Sequence, residues 1–198
     1  MNIEKTVKNL QAAGYSVHVF DTGADAAAWL NQQIDGKTVG IGGSATVKAL
    51  GLYDLLKTHN TVYWHWEQDQ NEARLNAMKT DVYLSSANAL AETGEIVNID
   101  GKGNRVASTL FGHDKVYFVI GQNKITETYE DAVWRARNVA APKRAAQFNV
   151  KTPCVAAGAE RCFSCKSPER VCRAMVTLWG PMMGTEAEVV LIREDFGL

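Results

Sequence analysis

Apolar residues along this chain recur with two periods, about 3.6 and 2, and the switches between them divide the first 141 residues into helices and strands. Ile3, Val7 and Leu10 share one face of a helix expected over 3–13, which Gly14 stops. Residues 15–20 read as a strand, and the alanine-rich stretch 24–33, with Trp29 and Leu30, as a second helix. Residues 37–41 form a short buried strand, followed by Gly42-Gly43-Ser44 and a helical stretch toward Leu50. A short helix around Tyr53, Leu55 and Leu56, a strand at 61–66, a helix at 71–78 and an extended run at 81–86 continue the alternation. Two β-rich runs, 95–99 and 116–121, precede a long helix over 128–140. That helix is expected to end before Pro142, because the residue ahead of a proline is pushed away from helical geometry.

Strands alternating with helices of about ten residues imply right-handed crossovers, hence an α/β fold with a mostly parallel, twisted sheet and flanking helices. Residues 1–141 are the expected core. The character changes over 142–173, where prolines and four cysteines with little periodicity mark a small cysteine-rich module. Residues 174–198 close the chain with two strand-like runs, 174–179 and 188–193, expected as a pair that rejoins the sheet or forms a flap.

Composition narrows the class. The 198 residues are 46% hydrophobic and 22% charged, proportions of a folded soluble chain and not of a disordered or collagen-like one. No apolar run approaches the ~18 residues of a membrane span. A formal net charge of −1 offers no global field for nucleic acid or acidic lipid. Met1 to Lys5 carries charge of both signs and leads into no apolar segment, so no secretory signal is expected and the cytoplasm is the expected compartment. Self-association into a homo-oligomer is expected as well.

Candidate chemistry lies in three places. Gly40-Ile41-Gly42-Gly43-Ser44-Ala45-Thr46 falls between a strand and a helix, where free N–H groups favour an anion and the Ser44 and Thr46 hydroxyls add donors. The same residues also read as a tight turn with Ser44 capping the helix. A second stretch, 85–105, alternates small polar residues and glycines with charges, as loops wrapped around a polar ligand do. Asn88 and Arg105 are candidate ligand contacts there, and Glu92 is a candidate acid, base or nucleophile. Two hairpin turns, at 92–94 and 100–104, account for the same glycines. Third, Trp64 and Trp66 flank His65 on the strand expected at 61–66, which would set both indoles on one face and the imidazole on the other.

All four cysteines fall within 19 residues, spaced Cys154-x7-Cys162-x2-Cys165-x6-Cys172. Four thiols with one C-x2-C bite supply the ligand number of tetrahedral zinc or of an iron–sulfur cluster of the 4Fe-4S type. Five basic residues against two acidic ones over 151–173 would offset the negative charge of such a centre. A reducing compartment disfavours two disulfides, and a redox pair at Cys162 and Cys165 would leave Cys154 and Cys172 unexplained.

Several stretches together resemble one family. The glycine loop at 40–46, Leu84-Ser85-Ser86-Ala87-Asn88-Ala89-Leu90-Ala91-Glu92-Thr93-Gly94 and Val97-Asn98-Ile99-Asp100-Gly101-Lys102-Gly103-Asn104-Arg105 resemble the lactate-utilisation (LUD) domain family. Residues 121–125, 136–142 and Cys162-Phe163-Ser164-Cys165-Lys166-Ser167-Pro168-Glu169-Arg170-Val171-Cys172 resemble its short cysteine-containing branch. The resemblance implies the fold shared by ribose-5-phosphate isomerase, glucosamine-6-phosphate deaminase and CoA transferases. It implies a role accessory to lactate or organic-acid oxidation, beside iron–sulfur and flavin oxidoreductase subunits. By the same analogy Gly42, Gly43 and Ser44 would hold a phosphate or carboxylate of a small anionic ligand, with Arg105 and Lys124 as further cations. Glu92 would lie near the position of the CoA transferases' nucleophilic glutamate, which opens an isomerase or acyl/CoA-transferase alternative. A non-catalytic assembly module stapled by zinc is the other alternative.

Overall fold

A computed structural model describes all residues, 1–198. Five parallel strands line up along the first two thirds of the chain: β1 (Ser16–Phe20), β2 (Thr38–Ile41), β3 (Thr61–Trp64), β4 (Val82–Ser85) and, later, β7 (Lys115–Gly121). Between β4 and β7 the chain makes β5 (Ala89–Ala91) and β6 (Ile96–Asp100), and after β7 come β8 (Ile125–Thr126), β9 (Ala174–Leu178) and β10 (Glu186–Ile192). The main sheet has the order β1-β10-β7-β4-β2-β3 with every pairing parallel, and a smaller sheet has the order β8-β5-β6-β9.

Parallel strands are buried on both faces, and the pleat shows it. In β7, Tyr117 and Val119 point to one core while Val116, Phe118 and Ile120 point to the other, and β10 divides Val190 and Ile192 from Val189 and Leu191 in the same way. The first core is closed by α2 (Gly23–Gln33), α3 (Ala45–Ala49) and α4 (Leu52–Leu56), which contribute Leu30, Val47, Leu52 and Leu56. The second is closed by α1 (Ile3–Ala12), through Leu10, and by the small sheet, through Leu90, Ile96 and Leu178. Helices α5 (Gln70–Ala77) and α6 (Asn104–Leu110) complete this side. Side chains placed by sequence at the helix starts do cap them: Asn2, Thr22, Ser44, Asp69 and Thr128 each accept from an N–H in the first turn.

Three expectations need correction. The helix beginning at α7 (Tyr129–Arg135) does not end before Pro142. It widens into a π turn over Ala136–Ala140 and continues as α8 (Ala141–Ala146), so the expected boundary at 141/142 falls inside one rod. Ala141 N–H bonds back to the Ala136 carbonyl, five residues away, and this wider turn admits a proline without the usual clash. Burial of Ala132, Ala136, Ala140, Pro142 and Ala145 along the rod outweighs the local preference of the residue before proline.

The stretch 85–105 is not a set of loops. Ala89, Leu90, Ala91, Ile96 and Val97 are fully buried strand residues, and only the turn at 92–94 is a hairpin, while 100–104 leads from β6 into α6. The two closing strands do not pair either: β9 joins β6 antiparallel in the small sheet, and β10 inserts between β1 and β7 in the middle of the main one. Between α8 and β9 lie a single turn, α9 (Pro153–Ala156), and coil.

Candidate functional site

The segments that follow β2, β3, β4 and β7 open on one cavity of about 450 Å3, at the carboxyl ends of the parallel strands, where open α/β sheets gather ligands. Its walls carry seven cations: Arg74, Lys102, Arg105, Lys124, Arg144, Arg170 and Arg173. Asp100 is the one acidic side chain among the lining residues. A chain of net charge −1 has thus concentrated positive charge in a single hollow.

Arg105 is the most firmly held of these cations. Its guanidinium donates to the carbonyls of Ser86 (3.2 Å) and Ile99 (2.7 Å) and to the side-chain oxygens of Asn88 (2.9 Å) and Asn98. All four acceptors are neutral, so the charge is oriented and left without a carboxylate partner. Burial pulls its pKa below the usual arginine value. Asn88, a candidate contact from sequence, lines the cavity and also acts as a brace, since its Oδ1 accepts from both Arg105 and the Ile99 N–H. Gly42 has no room for a side chain: a Cβ there would lie 2.9 Å from the Tyr83 hydroxyl and 3.1 Å from Arg105 Cγ. Its role is therefore to let Arg105 and Tyr83 close in, and it is not itself a wall residue, whereas Gly43 is.

Lys124 is 4% exposed and donates to the hydroxyls of Thr46 (2.8 Å) and Ser86 (3.0 Å). No carboxylate accompanies it. Burial, and then the neighbouring Arg135 and Arg105, bring its pKa down to about 7. Thr46 reaches the site through this lysine and otherwise donates to the Phe196 carbonyl. Ser44 caps α3 through the Val47 N–H (3.2 Å) and also lines the cavity, so both readings of this serine hold.

Opposite them, His65 and Trp66 leave the strand and form a turn, so the expected alternation of faces ends at Trp64. Trp66 stacks on Trp64 at 5.3 Å, and Arg144 lies over the Trp66 ring at 4.9 Å. Burial, with Arg74 and Arg144 nearby, lowers the His65 pKa to about 4, so the imidazole is neutral at physiological pH. Arg74, Arg144 and Lys102 are not singled out by sequence as site residues, and Arg170 and Arg173 are read only as charge beside the cysteines. Basic residues on helices and in loops look solvated until the fold turns them toward one hollow.

Glu92 does not belong to this cavity. The β5–β6 turn aims it at the start of α1, where it accepts from the Asn2 N–H at 2.5 Å and lies 3.2 Å from Lys5 Nζ. Burial works to raise its pKa, but the Asn2 hydrogen bond and the Lys5 ammonium outweigh it and hold the carboxyl below its usual value. The residue fastens a helix and lies outside the cavity walls, so the cation-lined hollow does not draw on it.

The four cysteines are all unpaired and partly exposed, and all line a second, narrow hollow beside the first. Ala141, Arg170, Val171 and Cys172 are common to both. As placed, no three Cys, His, Asp or Glu side chains converge closely enough to ligate one metal ion.

A family model of the LUD domain matches residues 3–192. Among solved structures, the chain superposes on the crystal structure of a DUF162 family protein from Deinococcus radiodurans with a TM-score of 0.59 at 15% identity, covering 96% of this chain and 95% of that one. No curated protein matches the chain. No helix is long and apolar enough to cross a membrane.

Proposed function

The chain belongs to the LUD domain family, and from that membership and the cavity we propose that it binds a small, multiply charged organic anion during use of lactate or a related acid. The single observation that carries this reading is the seven-to-one excess of cationic over acidic side chains in a cavity of about 450 Å3. A lone three-carbon monocarboxylate leaves most of that volume and most of those cations unused. A phosphorylated acid or a dicarboxylate uses both, because each guanidinium can present two parallel N–H donors to an oxyanion.

Arg105, held by four neutral acceptors, is the preorganised anchor, and Lys124 is the adjustable one. An amine with a pKa near 7 takes up a proton when an anion arrives, so charge is supplied on demand. The Trp66–Arg144 stack forms a flat wall for the remainder of the ligand. An anion site at strand ends also fits the likeness to sugar-phosphate isomerases and CoA transferases that the sequence suggests. We place the protein in the cytoplasm, beside iron–sulfur or flavin oxidoreductase partners. Glu92 lies outside the cavity walls, so nothing favours a transferase mechanism built on it.

The test is ligand-induced stabilisation against a panel of 2-hydroxy acids, 2-oxo acids, dicarboxylates and phosphorylated acids, with neutral amides as controls. The expected result is a rise in melting temperature with anions only, ordered by charge, and reduced in Arg144→Ala. Equal shifts with the neutral controls, or none with any anion, overturn the proposal.

A further inference from the structure

Of the basic side chains in the cavity wall, the five arginines keep their protons at any ordinary pH, and Lys102 is exposed, whereas Lys124 is buried. Lys124 Nζ donates to the hydroxyls of Thr46 (2.8 Å) and Ser86 (3.0 Å). Both hydroxyl protons are spent elsewhere: Ser86 Oγ donates to Thr46 Oγ1 at 3.4 Å, and Thr46 Oγ1 donates to the Phe196 carbonyl at 3.2 Å. A neutral amine has two N–H bonds and one lone pair. With both N–H groups given to these oxygens, the lone pair of Lys124 has no partner. Gly197 leaves the nitrogen uncovered, since a Cβ there would lie 3.0 Å from Nζ. With burial and two nearby arginines bringing its pKa to about 7, about nine-tenths of the amine is unprotonated at pH 8, against roughly 0.4% for an ordinary lysine. An unprotonated, desolvated lysine amine is a nucleophile toward carbonyl carbon.

We propose that Lys124 forms a Schiff base with the ketone of a 2-oxo acid held in the cationic cavity, a 2-oxo dicarboxylate above all; this rests on the anion-binding reading of that cavity. Ser86 brings the reacting groups together. Its carbonyl accepts from Arg105 Nη1 at 3.2 Å and its hydroxyl accepts from Lys124 Nζ at 3.0 Å, so guanidinium and amine stand beside each other on one residue. A 2-oxo acid carries its carboxylate and its ketone on adjacent carbons. With the carboxylate in the positive field of Arg105, the ketone carbon comes next to the amine, and the second carboxylate is left for the other cations of the wall. The nitrogen lone pair attacks that carbon, the N–C bond forms, and the C=O electron pair moves onto oxygen. The oxygen then leaves as water, taking one proton from the nitrogen and one from solvent, and an iminium remains. Nothing is oxidised or reduced in this step, and one proton is taken up. The iminium carries the positive charge beside the ligand that an ammonium would otherwise carry. A 2-hydroxy acid or a simple dicarboxylate has no ketone, so it occupies the cavity without forming a bond.

The test is incubation of the full chain with 2-oxoglutarate and sodium cyanoborohydride, which reduces an iminium to a stable secondary amine, followed by intact-mass measurement and peptide mapping. The expected product is a single adduct per chain, heavier by the 2-oxo acid less one oxygen atom and mapped to Lys124. Its yield should saturate with 2-oxoglutarate and be lost in excess glutarate, which has the same two carboxylates and no ketone. Lys124→Met and Lys124→Arg should carry no adduct, and because the mapping is made on the wild type the result does not depend on how either variant folds. No adduct at Lys124, or adducts spread over exposed lysines and indifferent to glutarate, overturns the proposal. Melting temperature with glutarate alone separates the two possible failures. A rise without an adduct removes the Schiff base and leaves the anion site standing, whereas no rise and no adduct removes both.

Discussion

Replacing Lys124 by methionine should make the protein more stable in mild acid and less able to hold an anion. In the folded chain the amine titrates at about 7, against an ordinary value of ~10.4. A lysine whose pKa falls on folding binds fewer protons folded than unfolded. Stability from this group is therefore at its lowest, and flat, below about pH 7, and climbs as pH rises toward ~10.4. At about 1.4 kcal/mol per pKa unit, the penalty at low pH is roughly 4 to 5 kcal/mol, and near pH 9.5 it shrinks to about 1 kcal/mol. Methionine fills a similar volume without charge but forfeits the hydrogen bonds to Thr46 and Ser86, worth about 1 kcal/mol each. Lys124→Met should thus gain about 2 to 3 kcal/mol near pH 6 and lose about 1 kcal/mol near pH 9.5. Urea unfolding of both proteins at the two pH values reads the difference directly, and other titrating groups cancel between them. An equal stability difference at both pH values would refute a desolvated, unpartnered Lys124.

Other consequences are as specific. Gly42→Ala places a Cβ 2.9 Å from the Tyr83 hydroxyl, and the strain should cost about 1 to 3 kcal/mol and weaken anion binding by displacing Arg105; chemical denaturation and a phosphate titration check the two parts. Glu92→Gln should leave ligand binding unchanged and loosen α1, lowering stability by about 1.5 to 3 kcal/mol, the range for hydrogen bonds to a charged group; faster amide exchange over residues 3–12 is the signature. Arg144→Ala, which removes one cation and the cover on Trp66, should weaken an anionic ligand roughly 10- to 100-fold, measured by calorimetry. Leu191→Ala removes a fully buried side chain from a central strand and should cost about 2 to 5 kcal/mol.

The sequence shows the alternation of helices and strands because periodicity is a local property: Ile3, Val7 and Leu10 mark a helix face wherever the helix lies. It does not show that residues 186–192 enter the middle of the sheet, since pairing of β10 with β1 joins residues about 170 apart. The stretch 85–105 misleads because Ala89 and Ala91 are small yet buried where helix and sheet pack together, and Asn98 is polar yet buried as an acceptor for Arg105 and the Asn88 N–H. Pro142 misleads in the opposite direction, since the rule about its predecessor is local and burial of the helix face is not. Among site residues, Gly43, Ser44, Asn88 and Arg105 are legible as polar or glycine residues at strand ends, and Lys124 only through the resemblance to the LUD family. The distant contributors Arg74 and Arg144 are not, because what unites them with the rest is a cavity and no motif.

The hollow is proposed to be an anion site whose charge adjusts to its ligand. Calorimetric titration of a phosphorylated three-carbon acid near pH 8, repeated in buffers of different ionisation enthalpy, tests it most directly. Saturable one-to-one binding is expected, weakening with added salt and taking up close to one proton, with the uptake lost in Lys124→Met. Absence of saturable heat, or binding with no proton uptake in the wild type, would contradict it.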